Sequence, residues 1–294
     1  IEDSERKNEK MEVFITADGY NQIEDTKAKV STDNLLASKF GVYDIAKDSV
    51  YFVNFSSLSH IQDVPKYSEL YEKSKTTEKK DKLIVVQEPI YNENGSYAIA
   101  EIRSQDNKDR WIVSLNLKKG TFQELDHQHD EAWIGGPGIP SYSFGRGTLG
   151  FLGDNETVYF QSEETGYSHL YTYNLKSKKK TQLTKGNWEV RNVNLSKDKK
   201  SFYLTTTTTH PGNRDFYKLE VANAVLQPIL TKDGAHEVSL SPDESTLIVR
   251  YSYKNKPWEL YVAPNKKNTN LIQITTSTSE SFKKYAWREP DVIT

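Results

Sequence analysis

Polar turns recurring at a nearly fixed distance constrain this chain more than any other feature. Asp154, Asp198 and Asp243 each stand between two apolar-alternating runs, and they lie 198 − 154 = 44 and 243 − 198 = 45 residues apart. An earlier stretch, Tyr91–Ala100, repeats the same grammar around Asn94-Gly95. Asp, Asn, Gly and Ser between alternating strands are what a tight hairpin demands. Unit ends keep the same beat: Leu183-Thr184, Leu230-Thr231 and Ile274-Thr275 are spaced by 47 and 44 residues. A period of about 40–50 residues holding four strands predicts an all-β fold, a β-propeller of four-stranded antiparallel blades.

Strands can be placed inside a unit. Val190–Leu195 reads as the inner strand, Ser201–Thr206 as the second, Phe216–Val221 as the third and Val225–Leu230 as the outer one. His210-Pro-Gly-Asn213 turns the chain, with Pro211 kept out of the ladder. Asn255-Lys-Pro257 is expected to do the same before a strand over Trp258–Val262. Gly41–Asn54 reads as a hairpin about Ala46-Lys-Asp48. The remaining N-terminal part, to about residue 40, looks irregular. Residues 55–82 read as an insertion, with a short helix over Pro65–Lys73 and a charged loop over Ser74–Lys82. Between Asn94 and Asp154 the gap widens to 60 residues, and the excess holds Asp126–Gly138, read as a glycine-rich loop at one mouth. At about 45 residues per unit, the chain holds about six blades, reduced to about five by the insertions.

Composition excludes several classes of function. A formal net charge of −2 over 294 residues is wrong for a protein that binds nucleic acid by displacing counterions. Without cysteine there is no disulfide and no thiolate metal site. No apolar run approaches the ~20 residues that span a bilayer. The opening at Ile1, in a charged stretch, suggests an internal piece of a longer polypeptide.

Several constellations could carry chemistry. His127-Gln-His129-Asp130 offers two imidazoles but no visible third and fourth ligand, so a hydrogen-bonded loop is expected and no metal or other cofactor is assigned. Gly166-Tyr-Ser-His-Leu170 lacks the last glycine of a nucleophile elbow, which makes Ser168 a turn or strand hydroxyl. Glu189 and Glu237 each precede a valine at the opening of an inner strand. With Asp130 and Glu131 they form a candidate acidic rim of a substrate channel; the plainer expectation is hydrogen bonding to backbone at blade junctions. Convergent carboxylates also admit a glycosidase. The five tryptophans, Trp111, Trp133, Trp188, Trp258 and Trp287, are expected to pack between blades.

Longer motifs carry a resemblance. Ser162-Glu-Glu-Thr-Gly-Tyr-Ser-His-Leu-Tyr171, Thr184-Lys-Gly-Asn-Trp-Glu-Val190 and Gly212-Asn-Arg-Asp-Phe-Tyr-Lys-Leu219 resemble consecutive propeller segments of dipeptidyl peptidase IV and its bacterial relatives. Arg103–Ile112, His129–Gly138 and Tyr251–Tyr261 are similar to a bacterial branch of the prolyl oligopeptidase family, in matching order from about Gly41 to Thr294. The resemblance implies a propeller capping a C-terminal α/β-hydrolase domain that supplies a Ser–Asp–His triad. Here there is no G-x-S-x-G, so no catalytic residue is carried over and the chain alone is expected to be inactive. Residues 285–294 would be the crossing to the hydrolase domain, with Trp287 anchored on the last blade and Val292-Ile293 beginning the first strand beyond. Glu163-Glu164 lies in a segment that matches a later part of the propeller than the family's amine-binding Glu pair, so that role is not transferred. The resemblance further implies a peptide substrate, a periplasmic or secreted location, and room for a homodimer of the full-length protein. A stand-alone propeller module binding proteins or peptides is the alternative.

Overall fold

A computed structural model describes residues 8–28, 39–66, 70, 80–139 and 145–291, with the side chains of 8, 27 and 28 excepted. The repeat is there as four antiparallel meanders in series. In the first sheet, β5 (Ile84–Val86) and β6 (Ile90–Tyr91) share one edge of β7 (Ala98–Ser104), which pairs with β8 (Asp109–Asn116) and then β9 (Thr121–His129). The second runs β10 (Leu149–Phe151), β11 (Thr157–Ser162), β12 (His169–Asn174) and β13 (Lys179–Gln182). The third runs β14 (Val190–Leu195), β15 (Ser201–Thr206), β16 (Asp215–Glu220) and β17 (Val225–Leu230). The fourth runs β18 (Ala235–Leu240), β19 (Thr246–Tyr253), β20 (Lys256–Pro264) and β21 (Ile272–Gln273). The third sheet matches the sequence assignment to within one residue at each end.

The recurring turns have one geometry. Oδ1 of Asn94, Asp154, Asp198 and Asp243 accepts a bond from the backbone N–H two residues on, at 3.0, 3.0, 3.0 and 3.1 Å. The residue between, Gly95, Asn155, Lys199 or Glu244, has a positive φ near 60° in each. A carboxylate or amide that holds its own turn makes this position tolerable even where it is not glycine. The tips also clasp one another. Glu93 N–H donates to Asn155 Oδ1 at 2.9 Å, Lys199 Nζ lies 2.5 Å from Glu93, and Lys197 N–H donates to Glu244 Oε1 at 2.7 Å. The hairpins of successive sheets therefore gather at one end.

Alternation along the strands feeds the interfaces. Ile99 and Ile112 face the second sheet and meet Phe151, Val158, Phe160 and Tyr171, while Ala100, Ile102 and Trp111 face the other way, onto Val53, Phe55, Leu58 and Ile61. Leu170 and Leu183 of the second sheet meet Val190, Phe202 and Leu204 of the third. Tyr203, Phe216 and Ile229 of the third meet Leu247, Val249 and Tyr251 of the fourth. Sheets stacked face to face in series are the packing of propeller blades.

Several expectations need correction. Four such sheets, not five, occur among the described residues, because residues 41–66 supply only the hairpin β3 (Gly41–Asp44) and β4 (Ser49–Phe52) followed by turns. The N-terminal part is not irregular throughout: β1 (Asn8–Val13) and β2 (Gln22–Ala28) form a hairpin. Of the helix expected over Pro65–Lys73, and of the loop after it, most lies outside the described residues. A helix that the periodicity did not predict, α1 (Glu280–Lys284), follows the last sheet, capped by the Ser279 hydroxyl accepting from Phe282 N–H. Pro257 is not in a turn. It lies inside β20 where the register with β19 slips between Tyr251 and Tyr253, and a bulge is where a residue without an N–H fits.

Candidate functional site

The ends of the strands opposite the hairpin tips gather the polar side chains. Pro137 anchors the glycine-rich loop there: its carbonyl accepts from Ser168 Oγ at 2.7 Å and from Gln161 Nε2 at 3.2 Å. Gln161 is buried and also reaches Val190 O at 2.7 Å, so one amide ties the loop to the second and third sheets. Ser168, just before β12, is thus a hydroxyl at the end of a turn with two partners. Gly138 has φ +73°, and a Cβ there would stand 2.0 Å from Gln161 Oε1; only glycine fits.

Before that loop, the histidine motif belongs to a strand rather than to the expected loop. His127 Nε2 and His129 Nδ1 lie 2.9 and 2.8 Å from the same Asp109 oxygen, and Lys82 bonds the other. Burial pushes the Asp109 carboxyl up, but the hydrogen bonds from His127, Lys82 and His129 outweigh it and hold it at about 2. His127 stacks between Trp111 and His60 at 5.3 and 4.8 Å. His60, His127 and His129 line a cavity of about 560 Å³ with Lys66, Lys82 and Glu131.

The four rim carboxylates are all at this end, but they do different work. Asp130 Oδ1 accepts from the backbone of Ala132 and Trp133 at 2.7 and 2.8 Å, and Glu131 takes Lys66 N–H at 3.3 Å and His129 Nε2 at 3.4 Å. These two largely follow the plainer expectation. Glu189 and Glu237 do not. Glu189 uses its backbone to pair with Thr207, and its carboxylate is 3.9 Å from Arg191. Glu237 receives Arg214 on one oxygen at 3.3 Å and Arg250 on the other at 2.6 Å. Both oxygens are occupied by guanidinium groups, unlike the unpaired apolar setting that raises a general acid in a glycosidase.

Glu163, directly after β11, stands at the same mouth although its sequence position gives no sign of it. It sits against Gly136, where a Cβ would approach its Oε1 to 2.1 Å. Burial lifts its carboxyl above the ordinary range, and the charges of Glu189 and Asp130 add to the lift. Glu163 therefore feels one carboxylate that follows the sheet before it and one that precedes the sheet after it.

Beside them the first strands of the third and fourth sheets border a cleft of about 400 Å³ lined by Arg191, Asn192, Asn194, Thr205, Arg214 and His236. No signal marked these arginines beforehand, because exposed Arg and Asn on a strand read as ordinary solvated positions.

The family model described as the dipeptidyl peptidase IV (DPP IV) N-terminal region matches residues 49–258. The chain belongs to that family. Dipeptidyl peptidase 4 of Arthroderma otae is 33% identical over 180 residues, covering 58% of this chain and 22% of the relative. The Trichophyton rubrum dipeptidyl peptidase 4 is 31% identical over 180 residues, with 59% and 22% covered. Among solved structures, one from Bacteroides ovatus assigned as a dipeptidyl aminopeptidase IV superimposes with a TM-score of 0.63 at 17% identity, over 96% of this chain and 38% of that one. Porphyromonas gingivalis dipeptidyl peptidase 4 gives 0.62 at 13% identity, over 87% and 32%. The chain therefore spans about a fifth of the curated relatives and about a third of the structures it matches. The DPP IV N-terminal region supplies the β-propeller that the sheets build. Among the described residues, no helix is long and apolar enough to cross a membrane.

Proposed function

We propose that this chain is the propeller portion of a serine-type dipeptidyl peptidase, gating and orienting peptides for a C-terminal α/β-hydrolase domain. The observation that carries the reading is the gathering of polar groups at one end. Glu163, Glu189, Asp130 and the arginine cleft meet around the glycine-rich loop of a chain that belongs to a peptidase family. Carboxylates held in a mouth suit a peptide's ammonium, and a propeller over a catalytic domain admits only short or extended chains. The acyl transfer itself would use a serine nucleophile in the partner domain. Residues 285–291 fit a crossing between domains, since Glu289 and Arg288 are held to the β19–β20 turn by Lys254 and Asn255 at 3.1 and 3.4 Å. A periplasmic or secreted location accords with this role. The test is hydrolysis of chromogenic dipeptide substrates. Protein in which this chain is joined to its hydrolase domain should cleave them and the 294-residue chain should not. Turnover by the chain alone that disappears in Ser168→Ala would refute the reading.

A further inference from the structure

The cleft between β14 and β18 has cationic hydrogen-bonding capacity that its own carboxylates do not use. Arg191 is the inserted residue of a bulge: Val190 pairs with Thr206 and Asn192 with Thr205, leaving Arg191 without a ladder partner. A bulge re-aims the side chain it carries, and this one lines the cleft. The nearest carboxylate, Glu189, is at 3.9 Å, the outer limit of an ion pair. Arg214, across the cleft, has one carboxylate contact, to Glu237 at 3.3 Å, and Arg250 shares that carboxylate at 2.6 Å. Three guanidinium groups thus face two carboxylates, and among the described residues no further acid pairs with Arg191 or Arg214. A second opening of about 390 Å³, lined by Pro137, Arg191, Asn192, Thr205 and Arg214, continues the cleft toward the glycine-rich loop.

We propose that this cleft is a carboxylate-binding site in which Arg191 and Arg214 hold one carboxylate of a bound peptide while Asn192 and Asn194 face its backbone. The peptide as occupant rests on the proposed function; the carboxylate preference rests on the arginines. Guanidinium groups form paired, charge-assisted bonds to carboxylates. Glu237 in the lining is already occupied by Arg214 and Arg250, and the acids beside the cleft, Glu163, Glu189 and Asp130, repel a polyanion far more than a peptide carrying a single carboxylate. The volume lies in the range of small-ligand sites.

Calorimetric titration of the 294-residue chain at low ionic strength tests this, using acetyl-Ala-Ala-Ala, its C-terminal amide, acetyl-Ala-Glu-Ala amide and inorganic phosphate. At least one carboxylate-bearing peptide should bind about tenfold tighter than the neutral amide. Whichever does so identifies a terminal or a side-chain carboxylate as the ligand. The preference should vanish in Arg191→Gln and in Arg214→Gln, both exposed positions where folding is not at stake. Equal affinity for charged and neutral peptides, tighter binding of phosphate, or no binding at all would overturn the site. Cleavage by the joined protein is read separately. A carboxylate preference without any cleavage supports the site and sinks the peptidase reading; cleavage without the preference does the reverse.

Discussion

Asp109 draws three basic side chains onto one carboxylate. Its side chain is fully buried, and it answers Lys82, His127 and His129 together. Removing one partner of such a network strands the others, so Asp109→Ala should cost about 3–5 kcal/mol in chemical denaturation. The pH dependence has a definite sign. A carboxyl held at about 2 in the fold, against an ordinary 3.8, contributes stability above pH 4. That contribution, about 2 kcal/mol, is lost as the pH falls from about 4 to about 2, and Asp109→Asn should flatten this limb of the curve. Tryptophans divide differently from the expectation that all five wedge between blades. Trp111 is completely buried and donates to Ser59 O at 2.9 Å, so Trp111→Ala should cost about 3–5 kcal/mol. Trp258 is 38% exposed, with Arg250 over its ring at 4.7 Å, and Trp258→Ala should cost about 1 kcal/mol. Trp287 leans on Phe282 and Tyr285 and donates to Phe282 O at 2.9 Å. A tryptophan announces burial in the sequence but not which surface does the burying.

At the scale of elements, what was legible is what recurs. The turn aspartates were readable because Asp154, Asp198 and Asp243 make the same bond in every unit, and that bond depends on local chain alone. Asp198 also accepts from Ser196 Oγ at 2.7 Å, so Asp198→Ala should lower stability by about 1 kcal/mol. Lys199→Gly at the following position, with φ near 57°, should be neutral or slightly stabilising. Thermal unfolding of the two variants side by side checks this; equal losses would mean that Lys199 matters through Glu93 rather than through its backbone. The end of β9 was illegible for the opposite reason. His127-Gln128-His129 shows no apolar alternation, and its strand exists because Asp109 and Asp126 of the sheet and Gln161 of the next answer those polar groups. The candidate site was half legible on the same grounds. Glu189 and Glu237 stood out by repeating at strand openings, whereas Glu163 and the arginines are brought beside them by packing alone.

Burial along the strands shows how the molecule is put together. Every residue of β7 and β15 is buried, as in a sheet covered on both faces. β19 instead alternates, with Leu247, Val249 and Tyr251 buried and Ile248 and Arg250 exposed. Among the described residues the fourth sheet is thus covered on one face only, and Leu260, Ile272 and Ile274 extend its open side. The neighbouring positions 247 and 248 turn this into a measurement. Leu247 is packed among residues of the third and fourth sheets, so Leu247→Ala should cost about 2–5 kcal/mol. Ile248, at 43% exposure, loses little that water does not already reach, and Ile248→Ala should cost under about 1 kcal/mol. Denaturant titration of both variants of the 294-residue chain decides it. Comparable losses would show that the outer face of the last sheet is covered in solution, because a one-residue step along a strand changes the face and nothing else.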